Sequence, residues 1–579
     1  MWSIFVATTQ SAAFSLDAMA STHPVEQVCR TEDEINEIFD IISYRKGSSI
    51  IRMLFSYLGY PAAFAGLTRY LRAHSHANAV TEDLWAALGE TCGKPVAAIM
   101  RRWTSTSGYP YLAVSRAPGG GLALESRRFI SAWARDPAAW PGQEDFAGGA
   151  GLASAAAAAA RHPLPPTTKA ADANEDWNVP LSVVVSAPGG GVQARVLGIL
   201  MLDGGQGGGE SREAELARAA AELASASAGC SWLKLNAEHA SFHRTVYDQS
   251  VLAALLPAMA TPPDRSHAPQ LATADRIGLI GDVAAAVGVG MASPADLTGL
   301  CWAARFDAEY AVWAAMLGGL GELKEAADAL PSGEGGFFTA WLGGLLQPVV
   351  QLVGFDARAG EHSNTALLRA LALRHAALCG MASVVDECLA RFDAHFKGAP
   401  LAADIKELVF STAASHGGAQ RYAALTIMLG AATLSEEQRR LMTALGRATE
   451  PALLQRTLAL LLTDKIRMQV GRRAVVCFPP PAASRHRSGR PRQVGSCSLH
   501  AHIDPHTPPS PPTHTSQSGC HAAHLRRGLQ PGRGWPHAGL ALRRGALGHA
   551  ARTARQHIWH LEPPPGCRHG LLREQGHGG

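Results

Sequence analysis

The residues whose types and spacing could do chemistry are few in this chain of 579. His239 and His243 stand four apart, the separation that sets two imidazoles on one helix face for a metal, but no glutamate follows His239 as such a helix requires. They read as part of a strand-to-helix join. Cys497, His500, His502, Cys520, His521 and His524 are also ligand types, yet their spacing fits no closed zinc finger and histidine is dispersed throughout that segment. The glycine clusters Gly119 to Gly121 and Gly189 to Gly191 join β-rich runs with neither a Gly-Lys-Ser nor a following helix, so they read as turns and not phosphate loops. Tyr44, in the run ISYRKG, taken by itself reads as an aromatic on a helix face.

The element that must position Tyr44 is the stretch Thr31 to Gly59. Thr31 and Glu34 have the spacing of a capping box, which starts a helix. Ile35, Ile38 and Ile42, then Ile50, Leu54 and Leu58 recur at helical intervals and predict one buried stripe, with Gly59 and Pro61 as the stop. Gly47 lies inside, where glycine costs about 1 kcal/mol against alanine, so close approach of another backbone is expected there.

The length is far above the roughly 250–300 residues at which single cores stop growing, so three or more folded units are expected. The net charge of +4 hides an asymmetry: from Gly471 onward there are 15 Arg, no Lys and 3 acidic residues, which leaves the preceding body acidic. Ten cysteines without a CxxC pair favour reduced thiols, and no basic n-region precedes an apolar run at Met1 to Met19, so a cytoplasmic location is expected. The best candidate for a membrane span, Phe337 to Phe355, contains Gln347, Pro348 and Gln351 and reads as a core helix.

Taken in order, residues 1–108 read as helical, with Thr81 a plausible N-cap and Pro95 at a helix start. From Tyr109 the period changes to short β-rich runs, YPYLAVSR, LALESRRF, LSVVVS, VQARVLGILML and SWLKLN, as expected of an antiparallel β-sandwich over 109–237. Two segments interrupt it: a low-complexity one, Gly148 to Asn174, expected to be disordered, and Gly204 to Gly229, within which Glu210 to Ala226 is expected to form an exposed Ala/Glu/Arg helix. Amphipathic units of helical period fill 238–469 and suggest stacked helix pairs in a solenoid of the HEAT or armadillo kind. The Pro/Arg/His-rich tail, 470–579, cannot bury enough apolar surface to offset chain entropy and is expected to be disordered; its abrupt onset raises the hypothesis of a shifted reading frame or a retained intron.

The blocks SLDAMASTHPVEQVC, EINEIFDIISYRKGSSIIRML, VTEDLWAALGETCGKPVAAIMRRW, WNVPL, WLKLN, DRIGLIGD, EYAVW and GFDARAGEHSNTALLRAL resemble, in order and spacing, the zinc aminopeptidases of the aminopeptidase N and puromycin-sensitive type over residues 1–469. The resemblance implies a mainly α, multidomain fold. Its parts are the C-terminal part of a thermolysin-like catalytic domain, an antiparallel β-sandwich and an α-helical C-terminal domain. It implies removal of N-terminal residues from peptide substrates by zinc-activated water, with two His and one Glu holding the metal and a further Glu as base. This sequence contains neither HExxH nor Gly-Ala-Met-Glu-Asn, so it resembles a family member cut just after its metal site, with no zinc held by the chain as given. One catalytic residue carries over, Tyr44, whose match in the family donates a hydrogen bond to the tetrahedral intermediate. Phe39 matches a substrate-contact position. SFHR replaces the family's GFYR, with His243 where the family has tyrosine.

A phenol keeps its proton at neutral pH and can aim it at an oxyanion, but it cannot activate water alone. An inactive aminopeptidase fragment is therefore the first reading, and a non-catalytic helical-repeat module that binds peptide or protein is the alternative. The tail arginines, with only Trp535 and Trp559 as aromatic platforms, give no specific nucleic-acid partner. Residues 1–108 alone are expected to expose apolar surface and to be poorly soluble.

Overall fold

Thr31 opens its helix as expected: its Oγ1 accepts the Glu34 N–H at 3.2 Å while the Glu34 carboxylate accepts the Thr31 N–H at 3.3 Å. That helix is short, Glu32–Glu37. Asp40 breaks the single helix expected over 31–59. Its Oδ1 accepts the Ser43 N–H at 2.9 Å and its carbonyl accepts the Tyr44 N–H at 3.2 Å, so it caps a second helix. This one begins as a π-helical turn, Ile42–Lys46, continues as Gly47–Leu58, and stops at Gly59, whose φ is +83°. The apolar stripe is split accordingly, with Ile42, Ile50, Leu54 and Leu58 buried and Ile35, on the first piece, exposed. The close approach expected at Gly47 does not occur: a Cβ there would meet nothing within 4 Å.

The computed structural model describes residues 2–117, 121–131, 177–187, 191–202, 211–264, 266–329 and 334–461, all within the first of two units, residues 1–483. The disorder expected for 148–174 and 470–579, and the cysteines and histidines of the tail, lie outside the described residues. The described residues are mostly helical, with two small sheets.

Helices Tyr60–Ala73, Thr81–Cys92 and Val96–Ser105 complete the first region. Thr81 is the first helical residue and not the cap, because the Asp83 carboxylate accepts the Val80 N–H at 2.9 Å and starts the turn one residue earlier. Strands β1 (Pro110–Arg116) and β2 (Leu122–Arg128) pair antiparallel, as do β3 (Val179–Ser186) and β4 (Val192–Leu200), with a bulge at Leu181/Ser182. β5 (Leu233–Leu235) joins β3 antiparallel. The purely antiparallel expectation fails at β6 (Arg244–Tyr247), which pairs parallel to β1 within stretch 238–469, where only helices were expected. All four β6 residues are buried, so the strand shows none of the alternation that marks a half-buried one. The helix Arg212–Ala226, expected to be exposed, buries Ala219, Ala220, Leu223 and Ala226 against the sheets.

From Gln249 to Leu461 consecutive helices pack on near neighbours; Thr273–Gly288, for instance, lies against Tyr310–Ala329, and Glu334–Val353 against Ser363–Leu378. One described helix, over 336–353, is long and apolar enough to cross a membrane, and it buries Leu345, Leu346 and Val349 in the core. Helix Thr273–Gly288 approaches the turn Ala237–His239 so closely that a Cβ on Gly278 would lie 2.3 Å from His239 Nδ1. The two helical glycines therefore differ in sign. Urea unfolding should show Gly47→Ala more stable by about 0.5–1 kcal/mol, through lost chain entropy, and Gly278→Ala less stable by about 1–3 kcal/mol, through overpacking. Equal effects would refute the geometry.

Candidate functional site

Tyr44 lies on the π-helical turn with its side chain 61% exposed, and its ring centroid is 6.3 Å from that of Phe39, itself 64% exposed. The two residues singled out in the sequence are thus neighbours on one open face. Two residues on, Lys46 turns inward. Its Nζ is 3.0 Å from Asp17 Oδ2 and donates to the carbonyls of Thr106 and Gly108 at 3.1 and 3.0 Å, and both charged side chains are fully buried. Burial draws the Lys46 ammonium below its usual range, with Asp17 opposing. Asp17 Oδ1 also accepts the Gly108 N–H at 2.9 Å, so the Tyr44 turn is fastened to the entry of β1.

The same helix is anchored further along by Arg52. Its guanidinium donates to the carbonyls of His239 and Glu238, both at 2.8 Å, and to Gln10 Oε1 at 3.3 Å. Glu238 and His239 have φ of +54° and +50°, in the left-handed region that side chains avoid. Arg52 on one side and the bare Gly278 on the other hold that turn in place. The neighbouring Arg244 pairs with Asp282 at 3.1 Å, and Asp282 Oδ2 accepts the Thr245 N–H at 3.0 Å. Asn178 of the WNVPL block plays a similar joining role, its carbonyl accepting Trp103 Nε1–H at 2.9 Å and its amide donating to the Ala98 carbonyl at 3.1 Å.

His239 and His243 do not share a helix: the first sits in the tight turn and the second precedes β6. Both are buried, His239 Nδ1 and both His243 nitrogens have no hydrogen-bond partner among the described residues, and burial pushes the His243 imidazole down to about 3. Among the described residues no three His, Cys, Asp or Glu side chains come together to hold a metal, and HExxH is absent from the whole sequence. The described residues do not fit a zinc site. What the face offers is an exposed phenol on a firmly seated turn. Sequence reasoning missed Asp17, Asp40 and Lys46, although a carboxylate three residues before Ser43 is itself a cap signal.

Comparison with known proteins gives this architecture its class. Residues 1–103 match the model of the peptidase family M1 domain, and 232–483 match that of the ERAP1-like C-terminal domain. The puromycin-sensitive aminopeptidase of Caenorhabditis elegans is 29% identical over 470 residues, covering 78% of this chain and 42% of the relative. Aminopeptidase M1 of Arabidopsis thaliana is 29% identical over 480 residues, covering 81% and 48%. The mitochondrial aminopeptidase 2 of Saccharomyces cerevisiae is 26% identical, covering 80% and 42%. The chain belongs to the aminopeptidase N type of zinc peptidase, family M1. It spans about half the length of the relatives it matches.

The orphaned His243 makes stability pH-dependent. A histidine titrates near 6.5 when unfolded and, here, near 3 when folded, so below pH 6.5 the unfolded state binds more protons and stability falls with pH. Asp282, raised to about 6 by burial against the pull of Arg244, works in the opposite direction below pH 6. Comparing each protein with itself at pH 7.5 and 5.0 isolates the imidazole. His243→Phe should lose about 2 kcal/mol less than wild type over that interval in urea unfolding. Parallel pH profiles would show that His243 is not held neutral.

Proposed function

We propose that this chain carries the tyrosine side of a metallo-aminopeptidase active site, with Tyr44 donating its phenolic hydrogen to the tetrahedral intermediate and Phe39 flanking the N-terminal side chain of a peptide. The observation that carries this reading is the pairing of those two rings on an open face, above a base fixed by Lys46, Asp17 and Arg52. The first region also exposes Trp2, Val28, Ile35, Phe64 and Leu71, and this amount of open apolar surface supports a further protein surface packing on that region. Zinc, the metal of the family, would be held by residues this sequence does not contain, and the 579-residue chain is inactive by itself.

In this reading residues 1–108 are the C-terminal part of the catalytic domain, 109–237 a β-sandwich, 238–469 a helical-repeat domain and 470–579 a tail. The six described cysteines are all free, which supports the cytoplasm.

The test is hydrolysis of an aminoacyl-amide. The chain alone should show no zinc-dependent turnover. In a form that also contains the zinc-binding segment, Tyr44→Phe should lower kcat about 10²–10³-fold with KM little changed, as for removal of one oxyanion donor. Zinc-dependent turnover by the chain alone, or a fully active Tyr44→Phe enzyme, would overturn the corresponding half of the reading.

A further inference from the structure

An aromatic side chain as exposed as Tyr44 is not placed by packing, since its ring neighbour Phe39 is equally exposed. Its position is set by the backbone of residues 40–46. That backbone is gripped at both ends by the short segment that runs from Asp17, the last residue of helix Ser11–Asp17, to His23. Before Tyr44, Asp40 divides its carboxylate: Oδ1 accepts the Ser43 N–H at 2.9 Å, and Oδ2 lies 2.7 Å from His23 Nε2. After Tyr44, Lys46 lies 3.0 Å from Asp17. The two grips are joined, because Thr22 Oγ1 donates to Asp17 Oδ1 at 3.0 Å.

We propose that Asp17–His23 is a positioning strap for Tyr44, holding its turn from before through His23 and Asp40 and from behind through Asp17 and Lys46. The proposal rests on the reading of Tyr44 as the reacting phenol and adds His23 and Asp40 as positioning residues. Between the grips the helix is π-helical, a geometry that is rare and frequent at functional sites. His23 is suited to the task. Its Nδ1 is 2.9 Å from the Pro24 carbonyl, so each ring nitrogen faces an oxygen and the ring is oriented from both sides. Burial would raise the Asp40 carboxyl, yet the Ser43 N–H and His23 hold it below its usual range.

The Asp17–Lys46 end is fully buried and unsuited to mutation, whereas His23 and Asp40 are about one-third exposed and can be changed in a folded protein. The full chain is labelled with 3-fluorotyrosine and its 19F spectrum recorded, the Tyr44 line being the one lost in Tyr44→Phe. Asp40→Asn keeps a capping side chain and removes the charge, since Asn and Asp cap equally well. His23→Ala removes the other partner. Both should displace the Tyr44 line by a similar amount, with no further shift in the double variant, while the lines of buried Tyr247 and Tyr422 stay in place. His23→Gln, whose amide can still donate to Asp40, should return the line toward its wild-type position. A Tyr44 line unmoved by either single change would overturn the strap, and so would His23→Gln behaving as His23→Ala, because lost volume would then explain the shift. The readout needs no substrate, so a Tyr44 that is strapped but plays no part in turnover would defeat the functional reading and leave this one standing.

Discussion

Arg244 is the charge on which the described structure converges. Its Nη1 donates to Asp282 at 3.1 Å and to the Gly281 carbonyl at 2.9 Å, and its Nε lies 3.4 Å from the Tyr109 hydroxyl. The guanidinium also stacks over Phe14, at 4.6 Å from the ring centroid. One side chain thus touches the first helices, the strand region and the long helical array. Removing a charge of this kind from water costs several kcal/mol, and the cost is offset only when every partner arrives in register. Lys234–Asp275 and Arg276–Asp307 repeat the device along the same helix, at 2.9 Å each and buried. A slip of one residue in Thr273–Gly288 would strand three pairs and drive a Cβ into His239. The block DRIGLIGD is therefore a register key more than a functional motif.

How far the sequence could be read follows from the range of each interaction. The capping box at Thr31, the stop at Gly59 and the hairpins β1–β2 and β3–β4 are local and were legible. The break at Asp40 is equally local, but the isoleucine period running across it concealed the cap. β6 was illegible for a different reason, since Arg244 and Thr245 look like surface residues until Asp282, 37 and 38 positions away, satisfies them. Tyr44 and Phe39 stood out only through the blocks around them, and that their rings are neighbours is a property of the fold.

The face that bears Tyr44 and its underside are built on opposite principles. Beneath it, Lys46, Asp17, Arg52 and the His239 turn are buried and tied together by an ion pair and by contacts to backbone carbonyls. Above it, aromatic and aliphatic side chains lie open. A rigid base under an open surface fits the reading proposed for Tyr44, in which the hydroxyl would have to be in place before its partner groups arrive.

The contact of Arg52 with the Glu238 and His239 carbonyls spans 186 and 187 positions. The turn those carbonyls belong to is shaped by Gly278, further still along the chain. During synthesis at about 5–20 residues per second, Arg52 would wait roughly 10–40 s for the Glu238 and His239 carbonyls to be made. For that interval the Arg52 guanidinium has only water to bond to, so the contact that anchors the tyrosine helix forms after the turn at Glu238 and His239 has been made.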